Sequence, residues 1–179
     1  FYEDLYNCAP NMEVLYINGG EPTLIKAHWN YLDKLVKSGR SKNIILWYNI
    51  NMTNLPPEAI PIWKEFKEAR VCPSIDCLDE RNQYIRFPTN WQDVTNHLDM
   101  LLNEEDITTR ITQTVSAYNY IYVDEFLSWA PCPVDMNFVY DPDYLSPAIL
   151  PPVVRRQVHD KFRKTLGNRY ELGTLLSMF

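Results

Sequence analysis

Short apolar runs alternate with amphipathic stretches along most of this chain. Runs rich in valine, isoleucine, tyrosine and tryptophan predict five strands: Val14–Ile17, Asn43–Tyr48, Val71–Ile75, Ile107–Val115 and Val134–Tyr140. The stretches that follow them repeat apolar side chains every three or four residues, which predicts five helices at 25–36, 56–66, 91–101, 121–129 and 153–166. Regular alternation of strand and helix is typical of a parallel sheet with helices packed outside it, so the predicted fold class is α/β.

Local signals add detail to three of the predicted helices. Asn90 precedes the third and is predicted to cap it, with Asp93 three positions further on. Pro56 and Pro57 are predicted to open the second, because proline is tolerated in a first helical turn. The basic residues of the fifth are predicted to form a solvated helix face rather than an anion site.

Composition and charge narrow the range of functions. The chain has 179 residues, of which 46% are hydrophobic and 22% charged, so it can bury a core within a single domain. Its net charge of −6 argues against a nucleic-acid partner. No apolar run approaches the ~20 residues that span a bilayer, so no membrane partner is expected. Four scattered cysteines do not form a disulfide framework, which favours a reducing, cytoplasmic location.

The most informative motif is Gly19-Gly20-Glu21-Pro22, directly after the first predicted strand. Two glycines let the backbone approach a ligand closely, and the glutamate adds a negative charge at the carboxyl end of a strand, where α/β proteins place their sites. The alternative is a tight turn whose acid caps the following helix.

Polar side chains also follow the other predicted strands. They include Asn49, Asn51, Ser74, Asp76, Arg86, Ser116, Asn119 and Asp141. In a βα-barrel the carboxyl ends of all strands form one rim, so we expect these groups to converge on a single pocket. The alternative for each one is ordinary loop polarity or helix capping.

These stretches resemble the core of radical S-adenosylmethionine (SAM) enzymes, and most closely the "twitch" domain-containing radical SAM proteins. The resemblance spans roughly 14 to 150 and is carried by the following segments: 16–24 with its GGEP loop, 49–55, Ser74-Ile75-Asp76, 81–86, and Thr114-Val115-Ser116 with Asn119. It implies a partial, six-fold (β/α) barrel of radical SAM type. The implied division is a partial core at 1–150, followed by a C-terminal helix and the start of an extension at 151–179.

The resemblance also implies how SAM is bound. The loop from Gly19 to Pro22 would hold the amino group of the methionine moiety, with Glu21 as a charged acceptor. Ser74 and Arg86 would grip the carboxylate, since a guanidinium can donate two parallel bonds. Each role has a structural alternative: Ser74 could satisfy a strand end, and Arg86 could pair with Asp79 or Glu80.

Other contacts to SAM follow from the same resemblance. Asn49 and Asn51 could reach the ribose or the substrate, and Asp76 could face either of them. Val139, with its neighbours in the fifth strand, could contact the adenine. No residue is assigned as catalytic.

The cysteines depart from the family pattern. Radical SAM enzymes hold a [4Fe-4S] cluster through a CxxxCxxC loop that precedes GGEP, whereas the cysteines here are Cys8, Cys72, Cys77 and Cys132. No residue of this chain is therefore predicted to bind metal. The expected explanation is truncation before Phe1, with the cluster ligands upstream; truncation after Phe179 is also expected, and the chain alone is expected to be inactive.

The function implied by the resemblance is reductive cleavage of SAM at the cluster to give a 5′-deoxyadenosyl radical, which modifies a substrate. The expected partners are a peptide or protein substrate and an electron donor such as flavodoxin or ferredoxin. Two alternatives stay open. One is a non-catalytic domain on the same fold that binds SAM, a nucleotide or another protein; the other is an unrelated α/β protein with a chance GGEP loop.

Overall fold

The computed structural model describes residues 1–177, which divide into two compact units. The first unit comprises Phe1–Ser74 and Pro88–Ile111, and the second comprises Ile75–Phe87 and the chain from Thr112 onward. The chain therefore enters the second unit twice. The predicted boundary near residue 150 is a different division of the chain and stays a prediction.

The first unit contains a parallel sheet of four strands. Its elements, in chain order, are α1 (Tyr2–Cys8), β1 (Val14–Ile17), α2 (Lys26–Lys37), β2 (Ile45–Ile50), α3 (Ala59–Trp63), β3 (Glu68–Pro73), a helix at Trp91–Leu102 and β4 (Ile107–Thr109). The strands are ordered β1-β2-β3-β4, and each neighbouring pair is parallel. The predicted α/β class with a parallel sheet is confirmed.

Helices cover one face of this sheet. Tyr48 of β2 is fully buried, and its ring lies 5.4 Å from His28 of α2 and 5.1 Å from Trp63 of α3, measured between ring centroids. α2 and α3 therefore pack on the same face, as consecutive right-handed crossovers require. On the other face Tyr16 is 53% exposed and Trp47 38% exposed, so that face is open among the described residues.

The second unit begins with α4 (Asp79–Ile85). The helix Trp91–Leu102 of the first unit comes next in the chain and is called α5. The second unit also contains β5 (Ile111–Val115, starting at the last residue of the first unit), α6 (Val123–Trp129), β6 (Val134–Phe138), α7 (Pro152–Leu166) and α8 (Tyr170–Ser177). β5 and β6 form a two-stranded sheet. The hydrophobic core of the second unit packs Tyr120 and Leu127 against Phe162 of α7.

Several sequence predictions hold in detail. β1 has its predicted bounds, and Asn90 caps α5 by accepting a hydrogen bond from the amide of Asp93 at 3.2 Å. In α7, Lys161 pairs with the Asp124 carboxylate and Arg163 with Asp160. Arg156 and Lys164 are also exposed, so most of the basic residues lie on a solvated face, although Arg155 and Arg156 line a small pocket of about 160 Å³.

Other predictions were wrong. The single strand predicted at Ile107–Val115 is two strands, because β4 pairs with β3 and β5 pairs with β6 in a different sheet. The second helix is shorter than predicted and spans only Ala59–Trp63; the residues before it form a turn in which the Ala59 amide donates to the carbonyl oxygen of Pro56 at 2.9 Å. α4 and α8 were not predicted.

We predict that Leu32→Ala lowers the free energy of unfolding by about 2–5 kcal/mol, because Leu32 of α2 is fully buried and the substitution leaves a cavity. Leu24→Ala is the matched control, since Leu24 is 66% exposed. Urea denaturation followed by circular dichroism measures both. Equal losses in the two variants would contradict the assigned packing of α2.

A second prediction concerns His28, which is fully buried against the Tyr48 hydroxyl. Burial lowers the pKa of His28 from 6.5 to about 4. Between these two pH values the unfolded chain takes up a proton that the folded protein excludes, so the unfolding free energy falls as pH is lowered. The buried, neutral His28 therefore lowers the unfolding free energy by about 3 kcal/mol once the pH has fallen to about 4.

His28→Phe removes the titrating group, and we expect the loss of stability between pH 6.5 and 4 to be smaller in this variant than in the wild type. Urea midpoints measured across that interval provide the comparison. Parallel pH profiles for the two proteins would show that His28 does not titrate as described.

Candidate functional site

The two glycines of the GGEP loop have backbones that favour glycine. Gly19 has φ +89° and Gly20 has φ +61°, both in the left-handed region. A Cβ at either position would meet no atom within 4 Å, so the requirement is conformational and the space around the loop is open. Neither glycine amide donates a hydrogen bond to any residue within 1–177. The loop therefore presents two free N–H donors at the carboxyl end of β1.

Glu21 links this loop to the end of the neighbouring strand. Its Oε2 accepts the amide of Asn51 at 2.9 Å, and its Oε1 accepts the Thr23 hydroxyl at 2.5 Å. It makes no side-chain capping bond to the short 3-10 helix Pro22–Leu24 that follows, so the capping alternative does not describe its contacts. An ionised carboxylate has about four acceptor positions, so Glu21 keeps capacity for a further donor.

Asn49 and Asn51 are both engaged with the protein. The side-chain amide of Asn49 donates to the Tyr16 hydroxyl at 2.6 Å. Asn51 Oδ1 accepts the amide of Thr53 at 3.0 Å and its hydroxyl at 2.6 Å, which fixes the turn after β2. These contacts hold the strand end that positions Glu21.

Ser74 follows β3 at the same end of the sheet. Its amide donates to the carbonyl oxygen of Ile50 at 2.7 Å, so its backbone extends the pairing with β2. Its hydroxyl makes no hydrogen bond to any residue of the described chain, 1–177. A free hydroxyl therefore lies at the end of β3, in the first unit.

A row of side chains that sequence reasoning missed lies on the open sheet face. Tyr16, Trp47 and Arg70 occupy paired positions on β1, β2 and β3. The Tyr16 and Trp47 rings meet edge to face at 5.6 Å, and the Arg70 guanidinium lies 5.3 Å from the Trp47 ring. Glu68 neutralises Arg70 through contacts of 2.6 and 3.0 Å. No sequence pattern marked this row, because Leu46, Trp47 and Tyr48 are consecutive apolar residues and only their burial separates the two faces.

In the second unit, Arg86 pairs with Asp76. Arg86 Nε lies 2.7 Å from Asp76 Oδ2, and its Nη2 donates to Oδ1 at 3.1 Å. The Thr114 amide also donates to Asp76 Oδ1, at 2.6 Å. Burial nevertheless raises the pKa of Asp76, against the opposing effects of Arg86 and Thr114. Arg86 thus has a buried protein carboxylate as its partner rather than Asp79 or Glu80.

Main-chain bonds fix the surroundings of Asp76. Its carbonyl oxygen accepts the side-chain amides of Gln113 at 3.1 Å and Asn119 at 2.7 Å. Asn119 Oδ1 accepts the amide of Ser116 at 2.7 Å, which closes the turn after β5. This network gives Asn119 a structural role.

Val139 follows β6 in the second unit. Its amide donates to the Val115 carbonyl oxygen at 3.0 Å, so this amide is already used by the protein. The adenine contact assigned to it through the resemblance stays a prediction.

The structure brings the predicted site residues together in two sets. Glu21 contacts Asn51 in the first unit, which also holds Asn49 and Ser74. Asp76 contacts Arg86 in the second unit, which also holds Val139. Convergence of both sets on one pocket stays a prediction.

The described residues do not fit an iron–sulfur cluster. No group of three or more histidine, cysteine, aspartate or glutamate side chains within 1–177 is arranged to hold a metal ion. Cys8 is exposed, Cys132 is half-buried, and Cys72 and Cys77 are buried. Burial raises the pKa of the Cys77 thiol, which disfavours the thiolate that binds metal.

Comparison with known proteins identifies no family for this chain. No protein-family model matches the chain, and a search of curated proteins finds none that is significantly similar to it. Among the described residues, no helix is both long and apolar enough to cross a membrane. The radical SAM resemblance therefore depends on the sequence motifs alone.

We predict that Arg86→Leu lowers the free energy of unfolding by about 3–5 kcal/mol, because it leaves the buried Asp76 carboxylate without its cation. Arg81→Leu is the matched control in the same unit. Arg81 pairs with Glu125 near the surface, so its loss is expected to cost about 1 kcal/mol or less.

Urea denaturation of the two variants measures the difference. The double variant Asp76→Asn/Arg86→Leu should recover part of the stability, since the uncompensated charge is gone. Losses of equal size for Arg86→Leu and Arg81→Leu would contradict the description of a buried ion pair.

Proposed function

We propose that this chain is the SAM-binding part of a radical SAM enzyme core, and that its four-stranded sheet is part of a (β/α) barrel. The carrying observation is the half-buried Glu21 carboxylate, held by the Asn51 amide beside two glycine amides without partners among the described residues. This combination can receive a ligand that carries an ammonium group. The proposal extends the motif resemblance.

The strand order supports the barrel. Doubly wound sheets reverse their strand order at a switch point, and helices then cover both faces. The order β1-β2-β3-β4 does not reverse, and α2 and α3 lie on one face. A barrel has this arrangement, with its uncovered face turned inward. Tyr16 and Trp47 would then line the interior.

The chemistry of the loop suits the amino-acid end of SAM. An ammonium group carries donors only, and the Glu21 carboxylate offers charged acceptors at a fixed position. The free amides of Gly19 and Gly20 and the Ser74 hydroxyl are donors of the kind that a carboxylate requires. This chain's role in the proposal is to bind and orient that end of the molecule.

In radical SAM enzymes the bound SAM supplies a carbon–sulfur bond that is broken reductively at an iron–sulfur cluster. The described residues of this chain do not provide ligands for that cluster, so the proposal assigns them no step of the cleavage. Their proposed contribution is the placement of the ligand at the carboxyl end of β1 and β2. A peptide or protein substrate remains part of the proposal through the resemblance alone.

The cysteine spacing favours a second candidate, a non-catalytic domain that binds SAM or a nucleotide on the same fold. Both candidates share the SAM site, so they differ only in the cluster. Anaerobic reconstitution with iron and sulfide, followed by metal analysis and electron paramagnetic resonance, distinguishes them when applied to the full-length protein.

We predict that Glu21→Gln weakens SAM binding by about 1–3 kcal/mol, the scale of a lost charge-assisted hydrogen bond. Glutamine retains the shape of the side chain and an oxygen for the Asn51 amide. Isothermal titration calorimetry measures the affinity, and circular dichroism confirms folding.

Two controls sharpen this experiment. Glu13→Gln removes an exposed acid that precedes β1, and its affinity for SAM should equal that of the wild type. 5′-Methylthioadenosine lacks the ammonium group, so Glu21→Gln should leave its affinity unchanged. SAM binding that is equal in Glu21→Gln and wild type would refute the proposed role of Glu21.

A further inference from the structure

A cleft in the second unit is lined by residues that have no part in the proposed SAM site. Its volume is about 310 Å³, and its lining comprises Glu80, Arg81, Tyr84, Ile85, Tyr118 and Tyr122. α4 contributes the first four of these, and the turn after β5 with its following 3-10 helix contributes the two others. Three tyrosines and an isoleucine give the cleft apolar walls.

Two of the tyrosine rings face solvent. Tyr84 is 74% exposed and Tyr118 is 57% exposed, and their rings meet edge to face with centroids 6.2 Å apart. Tyrosine rings of this kind supply rigid contact area at a small entropic cost, and they are enriched where proteins bind partners. Their faces also carry the negative end of the ring quadrupole, which attracts cations.

The cleft contains one carboxylate whose charge is not compensated. The Arg81 guanidinium contacts both oxygens of Glu125, at 2.9 and 2.6 Å, so this cation is neutralised within the protein. Glu80 is exposed and forms no ion pair with any residue that the structure describes. A ligand entering the cleft therefore meets aromatic faces and one uncompensated carboxylate.

The cleft already contains one cation–π contact. The guanidinium carbon of Arg81 lies 4.3 Å from the centroid of the Tyr122 ring. That ring face is thereby occupied, whereas Tyr84 and Tyr118 have no cation above them among the described contacts. A second guanidinium or ammonium group could stack there and reach Glu80.

We propose that this cleft docks a partner polypeptide by receiving one of its arginine or lysine side chains. The cleft is open to solvent, which admits a side chain that projects from a chain passing over the surface. The net charge of −6 adds a general attraction for a basic segment. The proposal is independent of SAM binding, because it uses no residue of the GGEP loop.

The test is an NMR titration of the full chain with a decapeptide of glycine and serine that carries two arginines. The tyrosine ring resonances should shift and saturate. Tyr118→Ala and Glu80→Gln should each weaken binding roughly three- to fivefold, the effect of one exposed cation–π or charge contact. Tyr144→Ala is the matched control, since Tyr144 is a 64% exposed tyrosine outside the cleft, and it should bind as the wild type does.

Three results would overturn the proposal. The first is unchanged affinity in both Tyr118→Ala and Glu80→Gln. The second is equal binding of a peptide with glutamine in place of arginine. The third is tetramethylammonium chloride binding as tightly as the peptide, which would assign the cleft to a small free cation. Glu21→Gln should bind the peptide normally, so failure here and failure of the SAM proposal are distinguishable.

Discussion

The handedness of the crossover connections is the constraint on which the first unit depends. Four parallel strands in sequential order, joined by right-handed crossovers, place successive helices on one side of the sheet. Adjacent residues of β2 show the result, because Tyr48 is fully buried under α2 and α3 while Trp47 faces outward. The hydrophobic core and the open aromatic face are thus two sides of the same topology.

The two sets of site residues differ in whether a cation of the protein compensates the charge of their carboxylate. Glu21 is held by a main-chain amide and a hydroxyl, which position its carboxylate without cancelling its charge. Asp76 is held by Arg86, which cancels most of the charge it would otherwise offer. The first of these carboxylates therefore keeps a charge that its protein contacts do not compensate. The second, with its buried pair, has the character of a structural element.

How far the sequence predicts this structure depends on the range of the interactions involved. β1, α5 and the Asn90 cap were predictable because strand propensity, helical periodicity and capping are local. The break at Arg110 was not, since β-branched residues continue on both sides of it and only pairing with different strands separates β4 from β5. α4 lacks an apolar repeat, so its periodicity gave no signal. At the site, the position of Glu21 followed from the glycine turn, whereas its bond to Asn51 joins residues 30 positions apart.

The interleaving of the two units has a consequence for synthesis and dissection of the chain. Because the first unit is completed only by Pro88–Ile111, a nascent chain that ends at Ser74 lacks β4 and leaves β3 as an unpaired edge. The sheet becomes complete on the ribosome only after the intervening Ile75–Phe87 has been made. A single cut can therefore release neither unit intact, and isolating the first unit requires a chain in which Ser74 is joined to Pro88 and which ends at Ile111.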